Sequence, residues 1–203
     1  MKKFELTTNT KMFLGKKLFQ IKALINFGDV EAGELGGYIE KEENLSQAGN
    51  AWVADNAWVT GNAWVADNAR VTGDARVAGN AWVTGNAWVA GNAWVAGNAW
   101  VTGNAWVAGN AWVADNARVT GDARVTDNAC YTTIKGFGRE YRTTTFFKCK
   151  DGKVRVQCGC FYGDLEEFRA IVKETHGKSK KAKEYLMIAD LMELHFEEKK
   201  NDK

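Results

Sequence analysis

Residues 80–97 read NAWVTGNAWVAGNAWVAG, three consecutive copies of one six-residue unit. The unit runs without interruption from Asn50 to Ala129 and follows the rule Asn/Asp-Ala-Trp/Arg-Val-Ala/Thr-Gly/Asp. A unit this short cannot bury its own apolar side chains, so its copies must stack on one another along the chain. The repeat therefore predicts a solenoid.

The spacing inside the unit predicts which side chains face the core. Alanine and valine are two positions apart, so they point to the same side of a strand, whereas the Trp or Arg between them points to the other side. The Gly-Asn, Asp-Asn or Gly-Asp pair that follows suits a sharp corner, because these residues tolerate positive φ. We expect four-residue strands with Ala and Val inside a thin core and Trp and Arg outside.

The pattern resembles the hexapeptide-repeat family, in which an aliphatic residue is followed four positions later by a small one. Val53 with Ala57, and Val89 with Ala93, match that consensus. The resemblance implies a left-handed parallel β-helix of triangular section with three units in each turn. At a strand spacing of ~4.8 Å, the nearly five turns would make a rod roughly 20–25 Å long.

The flanks of the repeat resemble proteins of the same family from phages and bacteria, some of which are described as acyltransferases. The N-terminal resemblance is carried by five segments, Ile21–Leu24, Phe27–Val30, Gly33, Leu35–Glu40 and Glu43–Ser46. The C-terminal resemblance, to a small domain of phage-encoded members, is carried by Cys149–Lys153, Cys158–Phe161 and Lys173–Gly177. Together they imply a phage protein in the cytoplasm of a bacterial host cell.

Changes in pattern divide the chain into three parts, residues 1–44, 45–130 and 131–203. The first is predicted to be a β cap with an irregular first coil, because the end of a solenoid exposes its core and an open strand edge. Lys11–Leu14 and Lys17–Leu24 read as its hairpin. Gln47 takes a valine position when the repeat is extrapolated backwards, as expected of an end coil.

The third part is predicted to be a small α+β domain that ends in helices. Asp164, with Glu167 three residues later, makes a capping box for a helix that ends at Gly177. A second, longer helix starts at Ser179. It carries an apolar stripe along one face, Tyr185, Ala189, Met192 and Phe196.

The cysteines of the third part allow two interpretations. Thr143–Cys149 and Val154–Cys160 read as a hairpin that turns on Asp151-Gly152, so Cys158 and Cys160 would continue the inward parity of the valines as small apolar residues. Alternatively, these cysteines and Cys149 could nucleate a thiolate metal site that His176 or Cys130 completes. Their spacing matches no zinc motif, and we predict neither a metal site nor a cofactor.

Composition excludes several classes of function. The formal net charge is +2 over 203 residues, so nothing indicates a global affinity for nucleic acid. No segment approaches the ~20 apolar residues of a membrane helix, and Leu18–Phe27 is interrupted by polar residues and is not a secretory signal. We therefore expect a soluble cytoplasmic protein with no membrane partner and with reduced cysteines.

The histidines do not suit the acyltransferase hypothesis. Enzymes of the hexapeptide-repeat family generally use a histidine base near a trimer cleft, often beside a loop that protrudes from the coils. Here the two histidines, His176 and His195, lie outside the repeat, and the repeat has no insertion. We therefore predict no catalytic residue and keep acyl transfer as an alternative that rests on fold analogy alone.

The outward positions are the candidate binding site. All nine tryptophans occupy them, together with four arginines, and Trp and Arg are enriched at binding hot spots. So much exposed indole also exceeds the ~300–600 Å² apolar patch of a typical monomer. The predicted binding residues are Trp82, Trp88, Trp94, Trp100, Trp106, Arg70, Arg76, Arg118 and Arg124.

If the turns stack, the outward Trp and Arg side chains form columns along the rod. Three hypotheses of function follow from these columns. The first is a scaffold whose Trp faces pack against sister chains, with a trimer as one possible form, or against a host protein, and whose C-terminal domain is a cap or a recognition unit. The second is a ligand-binding module whose indoles and arginines stack on a sugar or a nucleotide, for example to sequester a signalling molecule of the host. The third is the acyltransferase. A stacking period of eighteen residues would place Arg70 and Arg76 each between two indoles at ~5 Å, within range of cation–π contacts.

Overall fold

The structure, a computed structural model, describes residues 1–137 and 141–197. These residues form a β-solenoid with a β-hairpin at its N-terminal end. An antiparallel sheet and a pair of α-helices follow at the C-terminal end. The predicted mostly-β fold with terminal helices is confirmed. The predicted third part runs to residue 203, and residues 138–140 and 198–203 lie outside the described residues.

The strands before the repeat are β1 (Phe4–Phe13), β2 (Lys16–Ala23) and β3 (Leu35–Ile39). The repeat contributes two-residue strands β4 to β16, at Trp52–Val53, Trp58–Val59, Trp64–Val65, Arg70–Val71, Arg76–Val77, Trp82–Val83, Trp88–Val89, Trp94–Val95, Trp100–Val101, Trp106–Val107, Trp112–Val113, Arg118–Val119 and Arg124–Val125. The remaining elements are β17 (Tyr131–Phe137), β18 (Arg142–Lys148), β19 (Val154–Cys158), β20 (Phe161–Asp164), α1 (Leu165–His176) and α2 (Lys180–Phe196).

Strands three apart along the chain pair in parallel, so each turn of the solenoid has three sides. The first side contains β3-β5-β8-β11-β14, and the third contains β4-β7-β10-β13-β16. The second contains β6-β9-β12-β15, to which Leu45 adds one more rung through a bridge to Val65. Backbone hydrogen bonds link successive turns, as where the Trp82 N–H donates to the Ala99 carbonyl at 2.9 Å.

The strands are two residues long, not four as predicted. Only the Trp or Arg and the following Val keep ladder geometry, because each side must bend within six residues. At one corner the Ala81 N–H donates back to the Ala78 carbonyl at 3.4 Å. The Gly between them, Gly79, has a φ of +71°, which glycine adopts without steric cost.

The inward assignment of alanine and valine is confirmed. Every such residue from Ala51 to Val125 is at most 1% exposed. The corners are joined by ladders of asparagine side chains, in which each amide nitrogen donates to the equivalent oxygen one turn later. One ladder runs through Asn62, Asn80, Asn98 and Asn116, with N–O distances of 3.0–3.2 Å.

The first coil departs from the predicted register. Leu45, not Gln47, fills the inward position and is 2% exposed. Leu45 and Val53 are eight positions apart, whereas successive valines of the repeat are six apart. The corner after Leu45 therefore contains two more residues than the later corners. The Gln47 side chain instead accepts hydrogen bonds from the backbone N–H groups of Lys3 and Phe4, which ties the N-terminus to the first coil.

The N-terminal hairpin is longer than predicted and extends the first side of the solenoid. β1 begins at Phe4 rather than at Lys11, because it pairs with β2 along almost its full length, with an irregularity between Leu6 and Thr10. β3 then pairs antiparallel with β2 and parallel with β5. The edge of this sheet is therefore β1 of the hairpin and not a strand of the repeat.

The C-terminal unit confirms both predicted helices and enlarges the predicted hairpin. Strands β17 to β20 form an antiparallel sheet in chain order. Asp164 and Glu167 make the predicted capping box at the start of α1, and Ser179 caps α2. The predicted stripe of α2 is buried against α1 and the sheet. Cys160, predicted to point inward, is exposed because β19 ends two residues earlier.

Lys3 is a buried cation between the hairpin and the first coil. It is 2% exposed, and its Nζ donates to the Ala51 carbonyl at 2.9 Å and lies 4.9 Å from the Phe27 ring centroid. Burial, with a smaller effect from the charge of Arg70, lowers the pKa of Lys3 to about 8. The charged form is therefore less stable in the folded protein than in the unfolded chain.

We expect the free energy of unfolding to rise with pH above about pH 8 because of Lys3. Between this pKa and the ordinary lysine pKa, the unfolded chain binds more protons than the folded protein, so raising the pH favours folding. Urea unfolding should show the rise in wild type and in the exposed-lysine control Lys17→Met, and a smaller rise in Lys3→Met. If the free energy of unfolding rises equally with pH in all three proteins, the lowered pKa does not belong to Lys3.

Candidate binding surface

The predicted columns form on the three sides of the solenoid. The first side carries Trp58, Arg76, Trp94 and Trp112. The second side carries Trp64, Trp82, Trp100 and Arg118. The third side carries Trp52, Arg70, Trp88, Trp106 and Arg124. The proposed stacking period of eighteen residues is therefore present in every column.

The structure distributes the predicted binding residues over all three sides. Trp82, Trp88, Trp100 and Trp106 expose 36–48% of their surface, whereas Trp94 is half-buried. Trp112 exposes 51% and was not among the predicted residues, although it occupies the same position of the repeat. The candidate residues therefore do not form one continuous patch.

Two tryptophans of the outward position are covered by the N-terminal cap. Trp52 is fully buried, and Phe27 contacts its ring edge-on at a centroid distance of 5.4 Å. Trp58 is 6% exposed, with Phe13 of the hairpin 4.2 Å away. The expectation that all nine indoles are exposed is therefore wrong for these two, because a segment outside the repeat packs on them.

Neighbouring indoles stack face to face within each column. Trp82 and Trp100 are parallel to within 4° at a centroid distance of 5.1 Å, and Trp94 and Trp112 to within 10° at 5.3 Å. On the second side, Trp64 adds an edge-on contact to Trp82 at 5.2 Å. The indoles thus cover one another's faces and present mainly their edges to solvent.

The arginines at the C-terminal ends of two columns lie over the last indole. The Arg118 guanidinium carbon is 4.7 Å from the Trp100 ring centroid, and that of Arg124 is 4.2 Å from the Trp106 centroid. Such contacts contribute about 0.5–1 kcal/mol at exposed sites. In each column the arginine therefore covers the indole face that the neighbouring tryptophan leaves open.

The arginines nearer the N-terminus are not both held between indoles as predicted. Arg70 has the expected neighbours in the ladder, but its guanidinium pairs with Asp29 of the cap, and burial lowers its pKa. Arg76 lies 5.8 Å from Trp58 and 5.9 Å from Phe13. The N-terminal cap again decides the contacts, since it supplies both Asp29 and Phe13.

The C-terminal unit has an apolar surface that the sequence reasoning missed. Met187, Leu191 and Leu194 of α2 expose 71%, 54% and 66% of their surface. Their spacing of four and three residues places them on one helix face, opposite the buried stripe. The sequence carries the signal for this second apolar face in the spacing of the three residues.

The cysteines and histidines do not converge on a metal site. In the two described segments, no group of three or more His, Cys, Asp or Glu side chains is placed to hold a metal ion. Thr144 donates to Cys158 Sγ at 3.2 Å, and burial raises the pKa of the Cys149 thiol. His176 stacks on Tyr185 at 5.9 Å.

Neither helix of the described chain has an apolar stretch long enough to cross a membrane.

Comparison with known proteins does not assign a family. The chain matches none of the protein-family models that were searched, and no curated protein matches it significantly.

Proposed function

We propose that this protein is a non-catalytic scaffold that self-associates through the second side of its solenoid. The observation that carries the proposal is the column Trp64, Trp82 and Trp100, an unbroken row of indoles that the N-terminal cap leaves uncovered. The other two sides have a cap residue packed on their first indole and an arginine between their indoles. The second side is thus the most continuous apolar surface of the rod.

The geometry of the stack favours a protein partner over a sugar. A sugar ring or a base stacks on an open aromatic face, but Trp82 and Trp100 already cover each other, and Arg118 covers the far face of Trp100. The free edges of the indoles suit packing against another row of side chains. A second copy of the chain supplies such a row at the same spacing, because both rods repeat at the strand spacing.

The expected contact is weak. Trp82 exposes 40% and Trp100 38% of its surface, which is roughly 100 Å² each for an indole of about 250 Å². Four such indoles, two from each copy, would contribute about 10 kcal/mol at ~25 cal/mol per Å². Association costs about 4–15 kcal/mol in lost rigid-body freedom, so we expect a dimer with a dissociation constant in the micromolar range or above.

Substituting the two exposed indoles of the second side tests the proposal. Wild type should form a concentration-dependent dimer in sedimentation experiments between about 5 and 200 μM, and Trp82→Ser/Trp100→Ser should remain monomeric, because the apolar contact is lost. The matched control is Trp88→Ser/Trp106→Ser, which removes a stacked pair from the third side. It should dimerise like wild type.

Three outcomes would contradict the proposal. The first is a wild-type monomer at 200 μM. The second is equal weakening of the dimer by both tryptophan pairs, which would mean that indoles on any side suffice. The third is a dimer that survives in Trp82→Ser/Trp100→Ser but is lost in Leu191→Glu/Leu194→Glu, which would place the contact on α2. Melting curves for each variant check that the fold is kept.

Acyl transfer has less support as a function. His176 and His195 lie on α1 and α2, and the coils that would form the clefts between subunits carry no histidine. The relationship to phage-type hexapeptide-repeat proteins is part of the proposal and rests on the sequence resemblance. A host protein as partner remains an alternative to self-association, and a wild-type monomer would favour it.

A further inference from the structure

A cavity of about 420 Å³ lies where the second side of the solenoid meets the C-terminal sheet. It is lined by Arg118 at the end of the tryptophan column, Lys135 of β17, and Tyr141 and Arg142 at the start of β18. The backbone N–H of Arg118 donates to Thr145 Oγ1 at 2.9 Å, which joins the last rung of the second side to the sheet. The second side of the solenoid and the C-terminal sheet, which bound the cavity, are therefore joined by a hydrogen bond.

The described side chains that line this cavity carry charge of one sign only. Three cationic side chains line it, and no carboxylate of the described residues does. Arg118, Lys135 and Arg142 also have no ion-pair partner among residues 1–137 and 141–197. Asp115, an acidic residue of the last turns of the solenoid, lines a separate cavity with Trp112 and Tyr131. Three cations around a concave surface favour a ligand with more than one negative charge.

The asparagine ladder ends in this cavity and provides a free donor. Each amide nitrogen of the ladder donates to the next asparagine, as Asn98 does to Asn116 at 3.2 Å. Asn116 is the last member, so its own amide nitrogen has no hydrogen-bond partner in the described chain. Because Asn116 lines the cavity, this nitrogen can donate to a ligand oxygen.

Arg118 and Arg142 are held in position by neighbouring groups. The guanidinium carbon of Arg118 lies 4.7 Å from the ring centroid of Trp100, a cation–π contact. Arg142 Nη1 passes close to Gly159, where a Cβ atom would lie only 2.9 Å from it. Glycine at this position thus leaves room for the guanidinium. Positioned guanidinium groups bind phosphate oxygens with two parallel N–H donors.

Tyr141 adds an aromatic surface at the mouth of the cavity. It exposes 70% of its surface, and bases stack on such rings with a gain of about 1–3 kcal/mol. A volume of about 420 Å³ also falls within the range of small-molecule sites. We propose that this cavity binds a nucleotide, with its phosphates on Arg118, Lys135 and Arg142 and its base against Tyr141. The site does not depend on self-association of the rods.

Calorimetric titration of the full chain with ATP as the probe, at 0.15 M salt, tests this site. Wild type should bind one ATP per chain. Lys135→Gln and Arg142→Gln should each weaken binding about tenfold, because each removes one charge-assisted contact. Arg124→Gln is the matched control, since Arg124 occupies the same position of the repeat and lies on Trp106 but is outside this cavity. It should bind like wild type.

Two further probes separate phosphate from base recognition. Tyr141→Ala should weaken binding of ATP about tenfold and leave binding of inorganic tripolyphosphate unchanged. Equal affinity of wild type for tripolyphosphate and ATP would overturn the nucleotide assignment. So would no ATP binding at 1 mM, an equal loss in Arg124→Gln and Arg142→Gln, or binding of a single-stranded oligonucleotide in the absence of ATP binding. Lys135, Tyr141 and Arg142 are exposed and Arg124 is half-buried, so nearly unchanged melting temperatures are expected and should be verified for each variant.

Discussion

Trp52→Ala is expected to lower the free energy of unfolding by about 3–5 kcal/mol, although Trp52 occupies the outward position of the repeat. Its indole is fully buried under the N-terminal cap, with Phe27 against its edge. A Cβ atom on Gly36 would lie 2.6 Å from the ring, so the cap backbone lies directly on the indole. Removing the ring leaves a cavity between the cap and the first coil.

The matched control for this change is Trp106→Ala, three turns further along the same column. Trp106 is 36% exposed, so its loss should cost less than about 1.5 kcal/mol. Trp52→Phe should cost less than Trp52→Ala, because it keeps a ring and removes an indole N–H that has no partner in the described residues. Urea unfolding of the three variants measures how much free energy of unfolding each one loses. Similar losses in Trp52→Ala and Trp106→Ala would contradict the role of the cap.

Ala93→Leu is expected to lower the free energy of unfolding by about 1–3 kcal/mol, because the core of the solenoid cannot accept a larger side chain. Ala93 is fully buried among residues of the same small size, and each neighbour recurs in the turns above and below. Val89→Phe should have a similar effect for the same reason. A larger side chain at either position must displace the buried alanines and valines that surround it.

The same substitution at a half-exposed position supplies the control. Ala90 follows Val89 in the repeat and points away from the core, so Ala90→Leu should change the free energy of unfolding by less than about 0.5 kcal/mol. Thermal and urea unfolding of the pair measure the difference. If Ala93→Leu and Ala90→Leu melt at the same temperature, the inward assignment of alanine is wrong.

The candidate binding surface was predicted only in part. The sequence placed Trp and Arg outward and in register, since both follow from the period of six and the alternation of side chains along a strand. It did not distinguish the exposed Trp82 from the covered Trp58, because the two have the same neighbours in sequence. The covering residue, Phe13, lies 45 positions away from Trp58 along the chain and belongs to no repeat.

The proposed nucleotide site could not have been predicted from any one segment. Asn116, Lys135 and Arg142 are unremarkable in their local sequence, and the first of them occurs throughout the repeat. They meet because the sheet that follows the repeat folds back on the last turn of the second side, where the Arg118 N–H donates to Thr145 Oγ1. This contact brings the three cations together, and the end of the repeat leaves Asn116 as the last asparagine of its ladder.

The repeat alone predicts the solenoid, its inward alanines and valines, its corners and its stacked columns. These features depend on backbone geometry and side-chain alternation, which act between residues only a few positions apart. The tertiary structure alone decided the shift from Gln47 to Leu45, the burial of Trp52 and Trp58, the pairing of Arg70 with Asp29, and the basic cavity. Each of these depends on a segment outside the repeat packing against an end of the rod, and the period of the repeat carries no information about such contacts.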